Sequence, residues 1–367
     1  GFRAAGVLSL QVPLARRDYP QPEQVEAFYQ RLVDRVSHLP GVVSAAAVSG
    51  LPPNRSVNAN QTDLESVPTA ADGGPTIVDY YQFVSRDYFR TLGIPLVAGR
   101  LFEPTDAKGS AGVAVINRTM AKQFWGDRNP IGQRLRGARP SGDPRPPYPW
   151  VTIIGIAGDV KQGGLDHKTG SELYLLSDQA PATAGYLPAA MYLVLRTAKD
   201  PMSLAAPVRG EIRRLDPAIP VADVQPMTDV VYASVAQPRF IAFLVLIFAI
   251  VALSLAAIGT YGVLAYTVEL RTQEIGVRMA LGAQALQILR MVMAQGAWLV
   301  GAGLLLGVAG ALALRRALAS VLFGVAPTDP AIFAAVLALL AAVGLLACYL
   351  PAQKAMQVDP LVALRRE

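Results

Sequence analysis

The chain has 367 residues, 52% of them hydrophobic and only 16% charged, which is more apolar than an ordinary soluble protein of that length. Charge is unevenly placed: residues 1–238 hold 24 Lys/Arg and 22 Asp/Glu, whereas residues 239–367 hold 9 and 5. A single cysteine, Cys348, excludes an internal disulfide framework, and two histidines, His38 and His167, leave too little for a His-rich or Cys/His zinc centre.

Short apolar runs alternate with amphipathic helices through residues 1–238. Residues 7–12 predict a strand, 22–39 a helix opened by Pro22 and stopped at Pro40-Gly41, and 42–48 a second strand. Further on, 112–116 predict a strand, 117–125 a helix and 150–160 a strand; the five prolines of 137–149 predict an irregular loop. A second strand–helix–strand series follows at 191–195, 201–215 and 221–224, with 227–236 leading into the apolar region. Two such βαβ-like units predict an α+β domain built from both ends of residues 1–238, with an inserted subdomain at 79–187. No catalytic constellation emerges. His38 falls at a helix end and His167 in a polar turn, and Asp159, Asp166 and Glu172 read as loop residues without calcium-loop spacing. No catalytic residue, cofactor or metal is predicted.

Residues 239–367 predict an all-α membrane domain. Three stretches, 240–268, 291–314 and 330–350, contain no Asp, Glu, Lys or Arg and are long enough to cross a bilayer, which takes about 20 apolar residues. Three buried helices of a soluble bundle would each have to be apolar around the whole circumference, which such helices rarely sustain. The first span could reach about 40 Å at 1.5 Å per residue, more than the hydrocarbon thickness, so it must tilt or project as a stalk. Arg271, Arg278, Arg290, Lys354, Arg365 and Arg366 flank one side and Arg239, Arg315 and Arg316 the other, which predicts an inside tail and an outside residues 1–238. The formal net charge of +6 is thereby explained at the membrane edges, and nucleic acid is not a predicted partner. An outside domain needs an export route, so a membrane helix upstream of Gly1 is expected and the chain is expected to be a piece of a longer protein. Gly303, Gly307 and Ala311, four apart on the second span, predict close helix packing.

Between the first two spans, residues 269–287 predict an amphipathic helix at the inner surface. Arg271, Glu274 and Arg278 share one face, Glu274 and Arg278 form an i,i+4 ion pair in the favourable order, and Ile275, Met279, Leu286 and Leu289 occupy another. One reading is an interfacial helix resting on membrane lipid; the other is a docking element for an inner partner.

The run from Arg271-Thr272-Gln273-Glu274 to Leu281-Gly282-Ala283 resembles the permeases of the MacB/FtsX group of ABC transporters. So do Pro327-Thr328-Asp329-Pro330 and the ending Pro351 to Ala355 through Asp359 to Arg365. Tyr88 to Pro95, Asn117 to Trp125 and Asp127 to Gly132 are similar to the external domain of the same permeases, particularly the duplicated orphan permeases of acidobacteria, of which this would be the carboxyl-terminal half. The resemblance implies a MacB-like periplasmic core domain at 1–238 and an FtsX-like permease domain at 239–367 in the bacterial inner membrane. It also implies that Arg271, Glu274, Ile275, Arg278, Met279 and Leu281 contact a cytoplasmic ABC ATPase, which moves the periplasmic domain through the stalk, for export. A second permease unit, and a periplasmic adaptor or hydrolase, are implied partners. The chain contains no Gly-Lys pair and so no Walker A loop, which places ATP hydrolysis elsewhere. A transmembrane regulator of an external enzyme is the alternative. An ion-coupled carrier is disfavoured because such proteins place ionisable groups near the midplane and these spans have none.

Overall fold

The computed structural model describes residues 1–53, 55–65, 67, 76–139, 142–165, 167–313 and 330–356. Asp166, Arg315, Arg316, residues 327–329 of the Pro-Thr-Asp-Pro motif and the tail from residue 357 lie outside the described residues. The chain divides into Gly1–Gln237 and Pro238–Glu367.

In the first unit, β1 (Val7–Pro13), α1 (Pro22–Ser37) and β2 (Val42–Val48) come first. Pro22 sits in the first turn of α1, where no backbone N–H is needed, and the Gln24 side chain accepts from the Gln21 N–H at 3.1 Å. The apolar stripe Val25, Phe28, Leu32 and Val36 is buried against the sheet. Tyr29 pins the helix there, its hydroxyl donating to the Val12 carbonyl and accepting from the Met191 N–H at 2.9 Å. Near the end of the unit lie β11 (Ala190–Thr197), a 3-10 turn (Pro201–Leu204), α5 (Ala205–Leu215), β12 (Ala222–Pro226) and α6 (Met227–Ser234). The strand order β12-β1-β11-β2, all neighbours antiparallel, places β11 between β1 and β2 and β1 between β11 and β12. The two βαβ units therefore interleave, each crossover spanning a strand of the other, so both ends of the unit build one layer.

The middle strands extend this sheet without a break. They are β3 (Asn60–Leu64), β4 (Ile77–Val78), β5 (Tyr80–Val84), β6 (Leu96–Gly99), β7 (Val113–Asn117), β8 (Arg134–Gly137), β9 (Val151–Ala157) and β10 (Glu172–Leu176). The order continues β2-β5-β10-β7-β9-β8-β3-β4, with β6 also on β9. Three short helices, α2 (Tyr88–Leu92), α3 (Arg118–Trp125) and α4 (Ala180–Thr183), accompany them. The sheet is covered on both faces. On β2, Ala45 and Ala47 join the cluster under α1, while Ala46 and Val48 join that of Phe89 and Leu92 in α2 and Met227 in α6. Asn117, fully buried, ends β7 and caps α3: its Oδ1 accepts from the Met120 N–H at 2.8 Å and the Glu172 N–H at 3.0 Å, and its Nδ2 donates to the Gly170 carbonyl.

Glu172 is not the loop residue expected from the sequence. It opens β10, a strand buried along its whole length, and is itself fully buried. Gln162 Nε2 donates to its Oε1 at 2.6 Å. Desolvation pushes the carboxyl up to about 8, against smaller downward pulls from the Tyr174 hydroxyl, the Arg55 guanidinium and the Gln162 amide. Arg55, itself largely buried, is fixed by its Nη2 donating to the Tyr81 carbonyl at 2.6 Å and its N–H to the Gln162 carbonyl at 2.8 Å.

Because the folded pKa of Glu172 lies above the ordinary carboxylate value of 4.5, the native state holds a proton that the unfolded chain releases. Stability is expected to be greatest below about pH 4.5 as far as this group is concerned, and to fall from there to about pH 8 by on the order of a few kcal/mol. Glu172→Gln is expected to remove that component, so that the difference in urea midpoint between variant and parent, followed by tryptophan fluorescence, grows in favour of the variant from pH 5 to pH 8. A pH-independent difference would contradict the protonated assignment.

Candidate functional site

The second unit begins in sequence with α7 (Ala236–Leu270), followed by α8 (Thr272–Ala280), α9 (Ala285–Ala313) and α10 (Pro330–Met356). Helices α7, α9 and α10 are long and apolar enough to cross a membrane. Their side chains are mostly exposed within the chain, as expected of helices whose solvent is hydrocarbon.

The helix between the first two spans is shorter than the expected 269–287. A break of one residue at Arg271 separates α7 from α8; the Arg271 N–H is shared between the Thr267 and Val268 carbonyls, and Thr272 Oγ1 donates back to the Val268 carbonyl at 3.0 Å. At the other end the chain turns at Gly282, whose φ of 96° is open to glycine at little cost. There the Gly282 N–H donates to the Met279 carbonyl at 3.1 Å and the Ala283 N–H to the Arg278 carbonyl at 2.9 Å, a Schellman closure of α8. A fresh helix then starts as the Gln284 N–H donates to Gln287 Oε1. Leu286 and Leu289, expected on the same helix as Ile275, therefore belong to α9.

Ile275 is buried in a cluster with Ile288 and Val292 of α9 and Ala352 and Ala355 of α10, and Met279 packs half-buried against it. Both had been expected at the partner surface. Ile275 instead is the anchor that fixes α8 to the ends of two membrane helices of its own unit. Arg271, Glu274, Arg278 and Leu281 do face outward. Arg278 donates to Glu274 Oε1 at 2.6 Å and to the Met291 sulfur at 2.9 Å, so the guanidinium is held against α8 and the start of α9. Val277, which the sequence reading passed over, is 43% exposed beside Glu274 and Arg278, and Leu281 is 84% exposed one turn further. The signal was present: 274, 277, 278 and 281 follow i, i+3, i+4 and i+7 spacing, the same stripe as the ion pair. The surface thus combines one ion pair with two exposed apolar side chains on a helix anchored from beneath.

Close helix packing also sits elsewhere than expected. A Cβ added at Gly303 or Gly307 would meet nothing within 4 Å, and Ala311 is only half-buried. The tight approaches are at Gly296, where an added Cβ would lie 2.6 Å from Cys348 Sγ, and at Gly344, 2.9 Å from Val300. Gly303 instead lines an open groove of about 530 Å³ between α7, α9 and α10.

The MacB-like periplasmic core domain matches residues 6–215, and the FtsX-like permease C-terminal domain matches residues 246–360. The chain belongs to the MacB/FtsX family of ABC-transporter permeases. Among its relatives, a pyoverdine export ATP-binding/permease protein of Pseudomonas syringae pv. tomato is 28% identical over 274 residues, covering 74% of this chain and 40% of that protein. A macrolide export ATP-binding/permease protein of Hahella chejuensis is 30% identical over 298 residues, covering 77% and 42%. The chain therefore spans about two-fifths of the length of these relatives. The periplasmic region of MacB from Actinobacillus actinomycetemcomitans superposes with a TM-score of 0.43 at 10% identity, over 62% of this chain and 92% of that one. As a member of this permease family with three apolar helices, the chain is a membrane protein with a periplasmic domain.

The two glycine positions make opposite predictions for this permease. Gly296→Val forces α9 away from α10 and is expected to expose Cys348 to a membrane-permeant maleimide, raising its labelling rate by about tenfold or more. Gly303→Val is expected to leave Cys348 as unreactive as in the parent. Equal labelling of both variants would contradict the packing at Gly296.

Proposed function

We propose that this chain is the permease part of an inner-membrane ABC exporter, in which the outward face of α8 receives an ATP-driven movement from a cytoplasmic ABC ATPase and α7 carries it to the periplasmic unit. The observation that carries this reading is the stripe Glu274, Val277, Arg278 and Leu281, exposed on a helix closed by the Schellman turn at Gly282 and anchored through Ile275. A short helix held this way moves as a body with the ends of α9 and α10, so force applied to its outer face reaches the membrane helices instead of unwinding the turn. The relatives, ATP-binding/permease proteins for export, supply the class of energy source and the direction. Nucleotide can move the permease only if the ATPase grips α8 differently in its two states, which makes the α8 surface the place where the coupling free energy arises. ATP is hydrolysed in the ATPase and not by residues 1–367. The open groove at Gly303, whose described walls are apolar or small apart from Thr260, is the surface on which a second permease unit would pack.

Co-expression with the cognate ATPase tests the role of the stripe. Leu281→Asp is expected to weaken ATPase association at least tenfold, as loss of a central apolar anchor typically costs about 2 kcal/mol or more. Arg278→Glu and Glu274→Arg are each expected to uncouple ATP turnover from export while leaving membrane insertion intact. The exchanged pair Glu274→Arg/Arg278→Glu keeps an internal ion pair, so its failure to restore coupling would place the charges in contact with the partner. Restoration by the exchange together with normal association of Leu281→Asp would overturn the docking role.

A further inference from the structure

Within the periplasmic unit, the sheet face shared with α1 carries a cleft of about 490 Å³ where β5, β10, β9 and β8 run on past the helices that cover the other strands. That volume falls within the range of about 300–1,000 Å³ that accommodates small organic ligands. Its floor is an apolar checkerboard set by the parallel register of β5 and β10, in which Tyr81 stands opposite Leu173 and Phe83 opposite Leu175. Its walls are aromatic. Tyr186 meets Phe83 edge to face, centroids 5.4 Å apart and planes at 84°, and is 46% exposed at the mouth. Tyr148 also lines it, packed between Gly137 and Gly185, where an added Cβ would approach its ring to 3.4 and 3.2 Å. Gly185 has a φ of 64°, so this tight seat for the ring depends on glycine.

The charges around the cleft are already spent. Among the described residues Arg136 is its single charged lining residue; that guanidinium stacks on Trp150 at 4.4 Å and donates to Asp63 at 2.9 Å. Arg139, stacked on Tyr148 at 3.9 Å, is paired with Asp143. Among the described residues no Asp, Glu, Lys or His lines the cleft, so nothing there compensates a charged ligand, whereas rings find four aromatic partners, Tyr81, Phe83, Tyr148 and Tyr186. At the mouth the Gln61 amide and the remaining N–H groups of Arg136 offer donors. We propose that this cleft is a binding site for an uncharged, ring-bearing amphiphile whose rings pack on the aromatic side chains that line it, Tyr148 and Tyr186 among them, and whose carbonyl or ether oxygens face Gln61 and Arg136. The site is formed wholly by the first unit and does not rest on the ATP-coupling reading.

The test uses the full chain in nanodiscs, without ATPase or nucleotide, carrying Cys348→Ser and a reporter Thr183→Cys on the cleft wall. The neutral lactone 7-diethylamino-4-methylcoumarin is the probe, and the readout is the rate of reaction with a sulfonated maleimide. Saturable protection is expected, about tenfold slowing when free probe exceeds its dissociation constant tenfold. Tyr186→Ala, at a partly exposed position that the core does not need, should weaken the protection several-fold, and 7-diethylaminocoumarin-3-carboxylate should protect about tenfold less well than the neutral lactone. A reporter at Ser203→Cys, exposed elsewhere on the unit, should show none. Absence of protection at Thr183→Cys up to the solubility of the probe would overturn the site, as would equal protection at Ser203→Cys. Equal protection by the carboxylate would overturn the neutral class. Should Thr183→Cys fail to fold by circular dichroism, Ala184→Cys on the same wall gives the same readings.

Discussion

A helix in lipid has to pair every backbone group within itself and turn hydrocarbon outward, and this constraint governs the carboxyl-terminal third of the molecule. Helices α7, α9 and α10 satisfy it by composition alone: long, apolar, with large side chains such as Phe248, Leu305 and Leu346 facing away from the rest of the chain. Lipid cannot drive such helices together by hydrophobic burial, so their mutual packing falls to close approach at a few small residues. Gly296 against Cys348 and Gly344 against Val300 are those approaches. At the edge of the apolar region the constraint relaxes, and Lys354 reaches the Tyr261 hydroxyl at 3.0 Å, tying α10 to α7 through a polar contact that the hydrocarbon interior would penalise. The α8 element exists at this edge: amphipathic, capped by Gly282, and anchored by a single buried isoleucine.

The periplasmic unit obeys the opposite rule. Water drives burial there, and one continuous sheet with helices on both faces is the result, so its central strands carry almost no polar face. Two buried polar groups persist for different reasons: Asn117 organises backbone, capping α3 and receiving the β10 N–H, whereas the Glu172 carboxyl accepts from the Gln162 side-chain amide. The interleaving of the two βαβ units places β12, and with it α6, beside the first strand of the unit. Segments far apart in sequence thus share one layer, and a displacement of the β12–α6 end is transmitted to β1 through ladder hydrogen bonds and not through a flexible loop.

Elements whose signal is local were legible in the sequence. Pro22 with its apolar stripe marked α1, the Asn117 cap marked α3, and unbroken apolar composition marked α7, α9 and α10. Strands β5 and β10 were not, because both are five residues long and buried throughout, which removes the period-two alternation by which a strand declares itself. A glutamate at the head of β10 made it read as a loop, since nothing in the local sequence reveals the Gln162 amide and the neutral state that permit its burial. At the candidate site, the charges of Glu274 and Arg278 were readable from their spacing, while the division of the apolar residues into anchor and surface was not. That division depends on where α9 and α10 end, which fixes Ile275 inside and leaves Val277 and Leu281 out. The Gly303 stripe misled for the same reason: small residues permit close packing, but the facing helix decides which of them is used.

The proposed mechanism requires α7 to carry the chain across the membrane once between the periplasmic unit and α8. In a Cys348→Ser background, Ser203→Cys in the first unit and Gln273→Cys in α8 can be probed in intact cells and in inverted membrane vesicles with an impermeant maleimide. Labelling of Ser203→Cys only from the cell exterior side, after permeabilising the outer membrane, and of Gln273→Cys only in inverted vesicles is the expected result. Labelling of both positions from the same side would contradict the single crossing, and with it the transmission of force from α8 to the periplasmic domain.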